Sequence, residues 1–360
     1  MTYRLGVDAR KYPGATGLGP LGVIEDAAGH GFEGVFFRTI LDVSPTLAPD
    51  VLADVRRAAD RHGMYIEVGL GKVNPFNTAE APEIRAIGDG DYLRGMARMI
   101  QASREIGCTE LWADTANYQR WEWGIHANDR FRTDVTWEDQ LAATQSFLTR
   151  LAPVLRDAGC RVNLETHEEI TTHELVRLVE AVGPDVAGIT LDLANIVIRG
   201  ENPMDAARRT APFVHQTHIR DVVLTFQPYG LDRDIRACGD GIIDWTDVLH
   251  SLREHQPELN LSVETVSGPG RNRIEIFDPA WQDAHPDLDV RELMDLVRMA
   301  HETDQRIARG EIPGRDDYYP PDGLDAEGQI AFVHRCHAHL RDVMAALELA
   351  EADREEMRVS

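Results

Sequence analysis

Short apolar runs alternate with longer amphipathic stretches along most of the chain. Apolar runs of strand length occur at residues 4–8, 34–38, 65–69, 110–114, 161–167, 188–192, 214–220 and 259–264. Between them, apolar positions recur at helical spacing at 51–62, 92–106, 136–158, 173–182, 204–211 and 245–253. This alternation with short links is typical of βαβ units and a parallel sheet.

Eight strand runs ending near residue 265 predict a closed (β/α)₈ TIM barrel, an α/β fold of about 250 residues. The structural rival is a doubly wound open sheet, which normally has fewer strands. The glycine-rich stretch at 13–19 does not match G-x-G-x-x-G, and no helix is expected directly after it. A dinucleotide site is therefore not expected. Residues 222–243 are expected to form an extended loop before the next helix.

The chain beyond the eighth strand run is longer than a minimal barrel needs. We assign residues 1–265 to the barrel and 266–360 to the last barrel helix plus a C-terminal helical extension. Helical patterns cover 290–309 and 324–354, and the second has an apolar stripe. We expect that stripe to pack against the barrel or against a second subunit.

Charge narrows the classes of partner. The chain has 37 Lys and Arg against 61 Asp and Glu, a net charge of −24, which argues against nucleic acid and anionic membrane surfaces. No apolar run reaches the length of a membrane span, and no signal peptide is evident, so we expect a cytoplasmic protein. The cysteines, at positions 108, 160, 238 and 336, are far apart, which predicts buried, reduced thiols.

Polar residues stand near the C-terminal ends of the last four strand runs. They are Glu165, Asp192, His218 and Glu264, which we call the strand-end quartet. In such a barrel these strand ends meet on one face, so the side chains can converge. Three carboxylates and one imidazole suit one divalent cation, with Mn²⁺ preferred and Mg²⁺, Co²⁺ or Zn²⁺ as alternatives. Unpaired carboxylates there would repel one another without a cation, although each residue alone is more often a cap or an ion-pair partner.

Further candidates stand close to the quartet. Side chains two apart share a strand face, which places His167 with Glu165 and Arg220 with His218. His167 could orient a substrate hydroxyl, relay a proton or simply bind a neighbouring carboxylate. Arg220 could clamp a substrate oxygen or pair with a ligand carboxylate. Trp112 belongs to a cluster with the tryptophans at 121, 123 and 137, which suits either a sugar platform or core packing, and the segment 117–132 could cover the barrel mouth.

The motifs around these residues resemble a known family. The runs 164–167, 191–195, 218–221 and 239–245, with the strand ending at Glu264, are similar to the sugar phosphate isomerase/epimerase family of the xylose isomerase-like TIM barrel superfamily. The resemblance covers about residues 3–265. It implies that the strand-end quartet holds the metal and that, as in ketose epimerases, Glu165 and Glu264 carry the protons. Asn195 stands where related enzymes often have His, and we count it with Arg220 and Trp112 as a substrate-binding candidate.

The expected function is a metal-dependent isomerase or epimerase of a carbohydrate or sugar-like substrate. Its chemistry would be proton transfer beside a carbonyl through a metal-stabilised enediolate, with Glu165, Glu264 and His167 as catalytic candidates. One alternative is the barrel subunit of a C-glycoside deglycosidase, a lyase on 3-keto-glycosides with a small second subunit. Another is a non-catalytic sugar-binding barrel. DNA repair of the endonuclease IV type fits poorly. That member of the superfamily holds zinc ions with several additional histidines, and strands three and four of this chain contain none. We also expect a homo-oligomer.

Overall fold

The computed structural model describes residues 2–115 and 124–359. In this part of the chain the strands are β1 (Thr2–Asp8), β2 (Gly34–Phe36), β3 (Tyr65–Lys72), β4 (Glu110–Asp114), β5 (Arg161–Glu165), β6 (Ala187–Leu191), β7 (Val214–Ile219), β8 (Asp221–Gln227), β9 (Gly230–Arg236), β10 (Glu258–Val263) and β11 (Asn272–Ile274).

The α-helices are α1 (Ala15–Gly29), α2 (Ile40–Val43), α3 (Pro49–His62), α4 (Pro82–Ile87), α5 (Tyr92–Glu105), α6 (Trp137–Ala158), α7 (Thr172–Val182), α8 (Leu193–Ile196), α9 (Pro203–Thr210), α10 (Trp245–His255), α11 (Pro279–Asp283), α12 (Val290–Ala308), α13 (Arg315–Tyr318) and α14 (Ala326–Val359). Short 3₁₀ helices occupy Thr78–Glu80, Ile125–Ala127, Asp129–Phe131, Val197–Arg199 and Ala211–Phe213.

The parallel strands close into a barrel in the order β1-β10-β7-β6-β5-β4-β3-β2. Closure is made by β1 against β10, where Thr2 lies opposite Glu258 and Val7 opposite Val263. Each of the eight apolar runs forms one barrel strand, and the surrounding helices cover the outside. The predicted TIM barrel with a helical C-terminal extension is confirmed.

Local sequence signals explain where the barrel helices begin and end. The Thr136 hydroxyl accepts a hydrogen bond from the Asp139 amide at the start of α6, which satisfies a backbone donor that has no partner within the helix. The helix ends at Gly159, whose positive φ of 62° suits a residue without a side chain. Apolar residues on the inner face of α6, such as Leu148 and Leu151, are fully buried against the barrel.

Two expectations about the loops are wrong. A helix, α1, does follow the first strand closely, although it is kinked at Gly19 and Pro20. Residues 222–243 do not form an open loop, because β8 and β9 pair as an antiparallel hairpin. Strand β11 adds to β9, which gives a three-stranded sheet that we call the small sheet.

A buried carboxylate organises the motif between the small sheet and α10. The Asp221 side chain accepts hydrogen bonds from the backbone amides of Gly239 and Ile243 and from the Trp245 indole. Burial raises the pKa of Asp221 to about 6, and these hydrogen bonds counteract that rise. A side chain at Gly241 would collide with the Asp221 carboxylate, so the glycine is required there. The motif thereby fixes the backbone directly after Arg220.

The C-terminal helix α14 packs on the barrel through an apolar face that includes Val333, His337 and Leu340 of the predicted stripe. Phe332, Val333, Cys336 and Leu340 are fully or almost fully buried, and α14 contacts α10. The His337 imidazole is buried, lies 3.0 Å through Nε2 from the Gly6 carbonyl oxygen on β1, and packs edge-on against Phe32. The extension is therefore tied to the first strand of the barrel.

Acid is expected to weaken this attachment. Burial lowers the pKa of His337 to about 4, whereas an exposed histidine titrates near pH 6.5. Because the unfolded chain binds this proton first, the contribution of neutral His337 is complete above about pH 6.5 and is lost as pH falls toward 4. The His337→Gln variant keeps a donor for the Gly6 carbonyl. Between pH 7 and pH 5, its free energy of unfolding should fall by about 2 kcal/mol less than that of wild type.

Urea unfolding at the two pH values measures this difference. His301→Gln, an exposed substitution on α12, is the matched control and should keep the wild-type pH slope. Equal slopes in wild type and His337→Gln would contradict the assignment.

The cysteines and the helices can be compared with the remaining sequence predictions. All four cysteines are buried with free thiols, as expected. Among the described residues, no helix combines the length and the apolar character that crossing a membrane requires. The division at residue 265, the cytoplasmic location and the homo-oligomer stay predictions.

Candidate active site

The strand-end quartet converges at the C-terminal mouth of the barrel. Glu165 ends β5, Asp192 follows β6, His218 lies near the end of β7 and Glu264 follows β10, four strands that are neighbours in the barrel. One potential ligand atom from each residue lies within 4.8 Å of the others, and all four side chains are buried. The sequence-based placement of these residues at one height is reproduced by the structure.

The imidazole of His218 has an incomplete set of partners. Its Nδ1 lies 2.8 Å from Glu165 Oε1. Its Nε2 is buried without a hydrogen-bond partner and lies 3.5 Å from Asp8 Oδ2. The ring packs against Phe36, which restrains its orientation. Nδ1 therefore faces the quartet, whereas Nε2 faces Asp8 at the end of β1.

Asp192 and Glu264 of the quartet are paired with cationic side chains, which for Arg220 is one of the two roles expected from the sequence. Arg220 contacts Asp192 and lies 3.0 Å from Glu264 Oε2. Lys11 and Arg38 also contact Glu264, and Arg38 Nε donates to Asp8 Oδ2 at 2.8 Å. Repulsion between the carboxylates is therefore relieved by side chains, largely from β1 and β2, that the sequence pattern did not bring into the site.

These pairings shift the acidity of the site. Burial opposes ionisation of both glutamates, but the charge and hydrogen bond of His218 lower the pKa of Glu165 to about 2. Arg220, Lys11 and Arg38 hold the pKa of Glu264 well below its ordinary value, again against burial. Both glutamates are therefore ionised at neutral pH and available as ligands or proton acceptors.

The other predicted residues lie around the quartet. Trp112 donates through Nε1 to Glu165 Oε2 at 3.1 Å, and Asn195 donates to Asp192 Oδ2 at 3.0 Å. Asn195 also accepts from Arg220 at 3.2 Å, so Arg220 points inward as the strand periodicity predicted. The His167 ring lies 2.5 Å from Glu169. Despite burial, this carboxylate raises the pKa of His167 to about 10, which keeps the ring charged.

A cavity of about 750 Å³ opens above the quartet, a size typical of small-molecule sites. Its walls include the following predicted residues: Trp112, Glu165, His167, Asn195, Arg220 and Glu264. The small sheet contributes Arg233 and Asn272, which bind Glu168 at 2.7 and 2.6 Å.

The tryptophans that the sequence grouped together do not share one location. Trp121 and Trp123 lie outside the described residues, as does the first part, 117–123, of the segment 117–132 that was expected to cover the mouth. Trp137 donates to Glu174 at 3.2 Å and stacks with Arg130, so it belongs to a buried ion-pair cluster and not to the cavity wall. Of the described tryptophans in that cluster, Trp112 alone lines the cavity.

Sequence reasoning missed the site residues contributed by the first strands. Asp8 ends β1 and Arg38 follows β2, so both stand at strand C-termini, as the quartet does. The same positional rule would have found them had it been applied to every strand. Arg233 lies outside this rule, because it stands within the small sheet and not at the end of a barrel strand.

The donor set fits a divalent cation. Carboxylate oxygens and an imidazole nitrogen are ligands that Mn²⁺, Mg²⁺, Co²⁺ and Zn²⁺ accept, and no thiolate from the described residues competes. Asp8, close to His218 Nε2, could orient the ring as carboxylates beside metal-binding histidines do. The residues present therefore fit the expected group.

The chain is similar to a family model and to several known proteins. A family model described as "Xylose isomerase-like TIM barrel" matches residues 24–296. The uncharacterized protein YihM of Escherichia coli K12 is 29% identical over 204 residues, which are 57% of this chain and 62% of that protein. The 3-oxo-isoapionate decarboxylase of Pectobacterium atrosepticum is 26% identical over 121 residues, 33% of this chain and 44% of that protein.

A solved structure gives the same fold. D-psicose 3-epimerase, crystallised in the presence of D-fructose, aligns with 84% of this chain and 98% of its own, with a TM-score of 0.54 and 18% identity. At this identity the likeness concerns the fold alone. The matched regions span less than two thirds of both curated relatives, at 62% and 44% of their lengths.

Proposed function

The chain belongs to the xylose isomerase-like TIM barrel family, and from that premise we propose that it is a divalent-metal-dependent isomerase or epimerase of a sugar or sugar-like substrate. The observation that carries the proposal is the convergence of Glu165, Asp192, His218 and Glu264 within 4.8 Å beneath a cavity. The position of His218 Nδ1, 2.8 Å from Glu165 Oε1, supports it, because that ring nitrogen points into the quartet.

The quartet would hold the cation, with the glutamates having a second role. When bound there, the cation would supply Lewis acidity that stabilises negative charge on adjacent carbonyl and hydroxyl oxygens of the substrate. Glu165 and Glu264 both line the cavity and are ionised, so either can accept the proton on a carbon next to a carbonyl. Return of a proton to the opposite face gives an epimer, and return to the next carbon gives an isomer.

The neighbouring residues would orient the substrate. His167 lines the cavity with its ring fixed by Glu169, which suits donation of a hydrogen bond to a substrate hydroxyl. Arg220 and Asn195 bind each other and Asp192, so they would form the wall beside the reacting carbons. The face of Trp112 would support the sugar ring while its indole nitrogen holds Glu165.

A second candidate is a lyase reaction at the same site. The matched Pectobacterium relative is named as a decarboxylase of an oxo acid, so carbon–carbon cleavage beside a carbonyl is a reaction class to test. The C-glycoside deglycosidase with a small second subunit is one form of this candidate. A non-catalytic sugar-binding barrel is the third hypothesis.

Metal analysis combined with isotope exchange tests these functions. We expect purified protein to hold about one divalent ion per chain, and to incorporate deuterium from D₂O beside the carbonyl of a ketose, an inosose-like polyol or a 3-keto-glycoside. Cleavage products would favour the lyase. Protein that holds no divalent ion, is unaffected by chelator and catalyses neither exchange nor cleavage would contradict both enzyme proposals.

A further inference from the structure

The barrel mouth has a basic side. Arg10 and Lys11 follow β1, Arg38 follows β2 and Lys72 ends β3, and all four line the cavity. Strands β1, β2 and β3 are neighbours in the barrel, whereas the quartet stands on β5, β6, β7 and β10. We call the four cations the basic arc. Four cations of the cavity wall thus stand on three adjacent strands, while Arg220 and Arg233 lie on the side of the quartet.

Members of the basic arc differ in how far they are engaged. Arg38 is largely buried between Asp8 and Glu264, and Lys72 binds Asp114 at 2.8 Å. Lys11 contacts Glu264 while 45% of its side chain stays exposed.

Arg10 is exposed, as Lys11 is. It makes no hydrogen bond or ion pair with the described residues, although it interacts electrostatically with Asp42. Arg10 can therefore bind a ligand without giving up a carboxylate partner, and Lys11, whose ammonium group has three donors, can bind one beside it while it contacts Glu264.

Arg38 is balanced by Asp8 and Glu264, and Lys72 by Asp114, so the charge that remains available in the basic arc is that of Arg10 and the exposed part of Lys11. In the described residues, the loops that follow β1, β2 and β3 add one carboxylate to the cavity wall, that of Glu83. A divalent cation held by the quartet would also compete for Glu264, the carboxylate that neutralises Lys11 and Arg38. Its two positive charges would make the cavity more attractive to an anion, in a chain whose net charge is −24.

We infer that the substrate is an anionic sugar derivative, whose carboxylate or phosphate group binds at Arg10 and Lys11 while its carbonyl end lies at the quartet. The inference rests on the proposed function for the position of the carbonyl end. Strands lie about 4.8 Å apart, so the arc from β1 to β3 spans about 10 Å, room for one such group beside the sugar. Guanidinium and ammonium groups are the usual ligands of both anions.

Calorimetric titration of metal-loaded protein tests the inference directly. The probes are D-fructose and D-tagatose, each compared with its 6-phosphate and with the corresponding uronate, so that the carbon skeleton is constant. We expect one anionic form of a skeleton to bind about tenfold more tightly than the neutral ketose, and the preferred form separates phosphate from carboxylate. Arg10→Gln should reduce that preference about fivefold, because the affinity for the preferred anion falls more than the affinity for the neutral ketose.

A matched control separates the site from overall charge. Arg57→Gln removes one exposed arginine from α3, away from the cavity, and should leave the preference intact. Equal affinity for neutral and anionic forms, no binding of any probe, or an unchanged preference in Arg10→Gln overturns the inference.

The outcomes also separate this inference from the proposed function. If neutral ketoses bind without preference and exchange deuterium, the anion inference fails and the proposed function stands. If anionic sugars bind through Arg10 but neither exchange deuterium nor are cleaved, the inference stands and the proposed reaction fails.

Discussion

The Glu165→Gln variant is expected to lose about 10³-fold in deuterium exchange and turnover, the range associated with removal of a general acid or base. Glutamine keeps the size and an acceptor oxygen for the Trp112 indole, so the barrel should still fold. It lacks the negative charge that would accept a carbon-bound proton. Exchange rates are measured at saturating metal, with circular dichroism and thermal unfolding as checks on the fold.

Substitution of Glu264 is harder to interpret than substitution of Glu165. Glu264→Gln should lose activity to a similar extent, but it also removes the carboxylate shared by Lys11, Arg38 and Arg220. Uncompensated buried cations are costly, so this variant should be less stable as well. Glu254→Gln, on the exposed face of α10, is the matched control and should behave as wild type. Near-full exchange in Glu165→Gln would show that this carboxylate does not move the proton.

His218→Ala is expected to weaken binding of a divalent ion by at least about 100-fold. One of four ligands is lost, and even loss of a group behind a ligand typically costs 10- to 100-fold. Titration of metal-free protein with Mn²⁺, in competition with a chelator, measures the affinity. The rise in melting temperature on adding Mn²⁺ gives a second readout, because a ligand stabilises the state that binds it.

The melting temperatures separate a loss of metal binding from a general loss of stability. His218 is fully buried beside Phe36, so its truncation lowers stability even without metal. The telling quantity is the difference in melting temperature with and without Mn²⁺, which should be large in wild type and in His250→Ala, an exposed control on α10. If His218→Ala keeps the full Mn²⁺-induced rise, the quartet is not the metal site.

The barrel could be predicted because each of its strands is encoded by a short stretch of sequence. Parallel strands buried on both faces appear as short apolar runs, and each run was long enough to be separated from the helical patterns. The position of the quartet followed from one general rule, that parallel strands of a barrel end on the same face. Neither inference required knowledge of contacts between distant segments.

The small sheet was missed because its apolar pattern is interrupted by buried charges. Strand β9 contains Asp232, Arg233 and Asp234, all buried, and a charged run of this kind normally indicates exposed chain. Their partners come from far along the sequence: Arg233 binds Glu168, and Arg315 binds Asp234. Buried ion pairs of this range leave no periodic signal in the strand itself.

The electrostatic state of the quartet could not be predicted for the same reason. Glu264 and Lys11 are separated by almost the whole barrel sequence, yet they meet because β1 is the neighbour of β10. A strand-by-strand interpretation finds the carboxylates and overlooks the cations that neutralise them. Pairing between distant segments, and not residue type, decides the charge balance of the site.

The pairing of β1 with β10 also has a consequence for biosynthesis. Thr2 emerges from the ribosome long before its partner Glu258. At 5–20 residues per second, the first strand waits roughly ten to fifty seconds for the strand that closes the barrel. Its tether to α14 through His337 forms later still. The nascent chain therefore carries an open sheet edge for most of its synthesis, a period in which chaperones could protect it from aggregation.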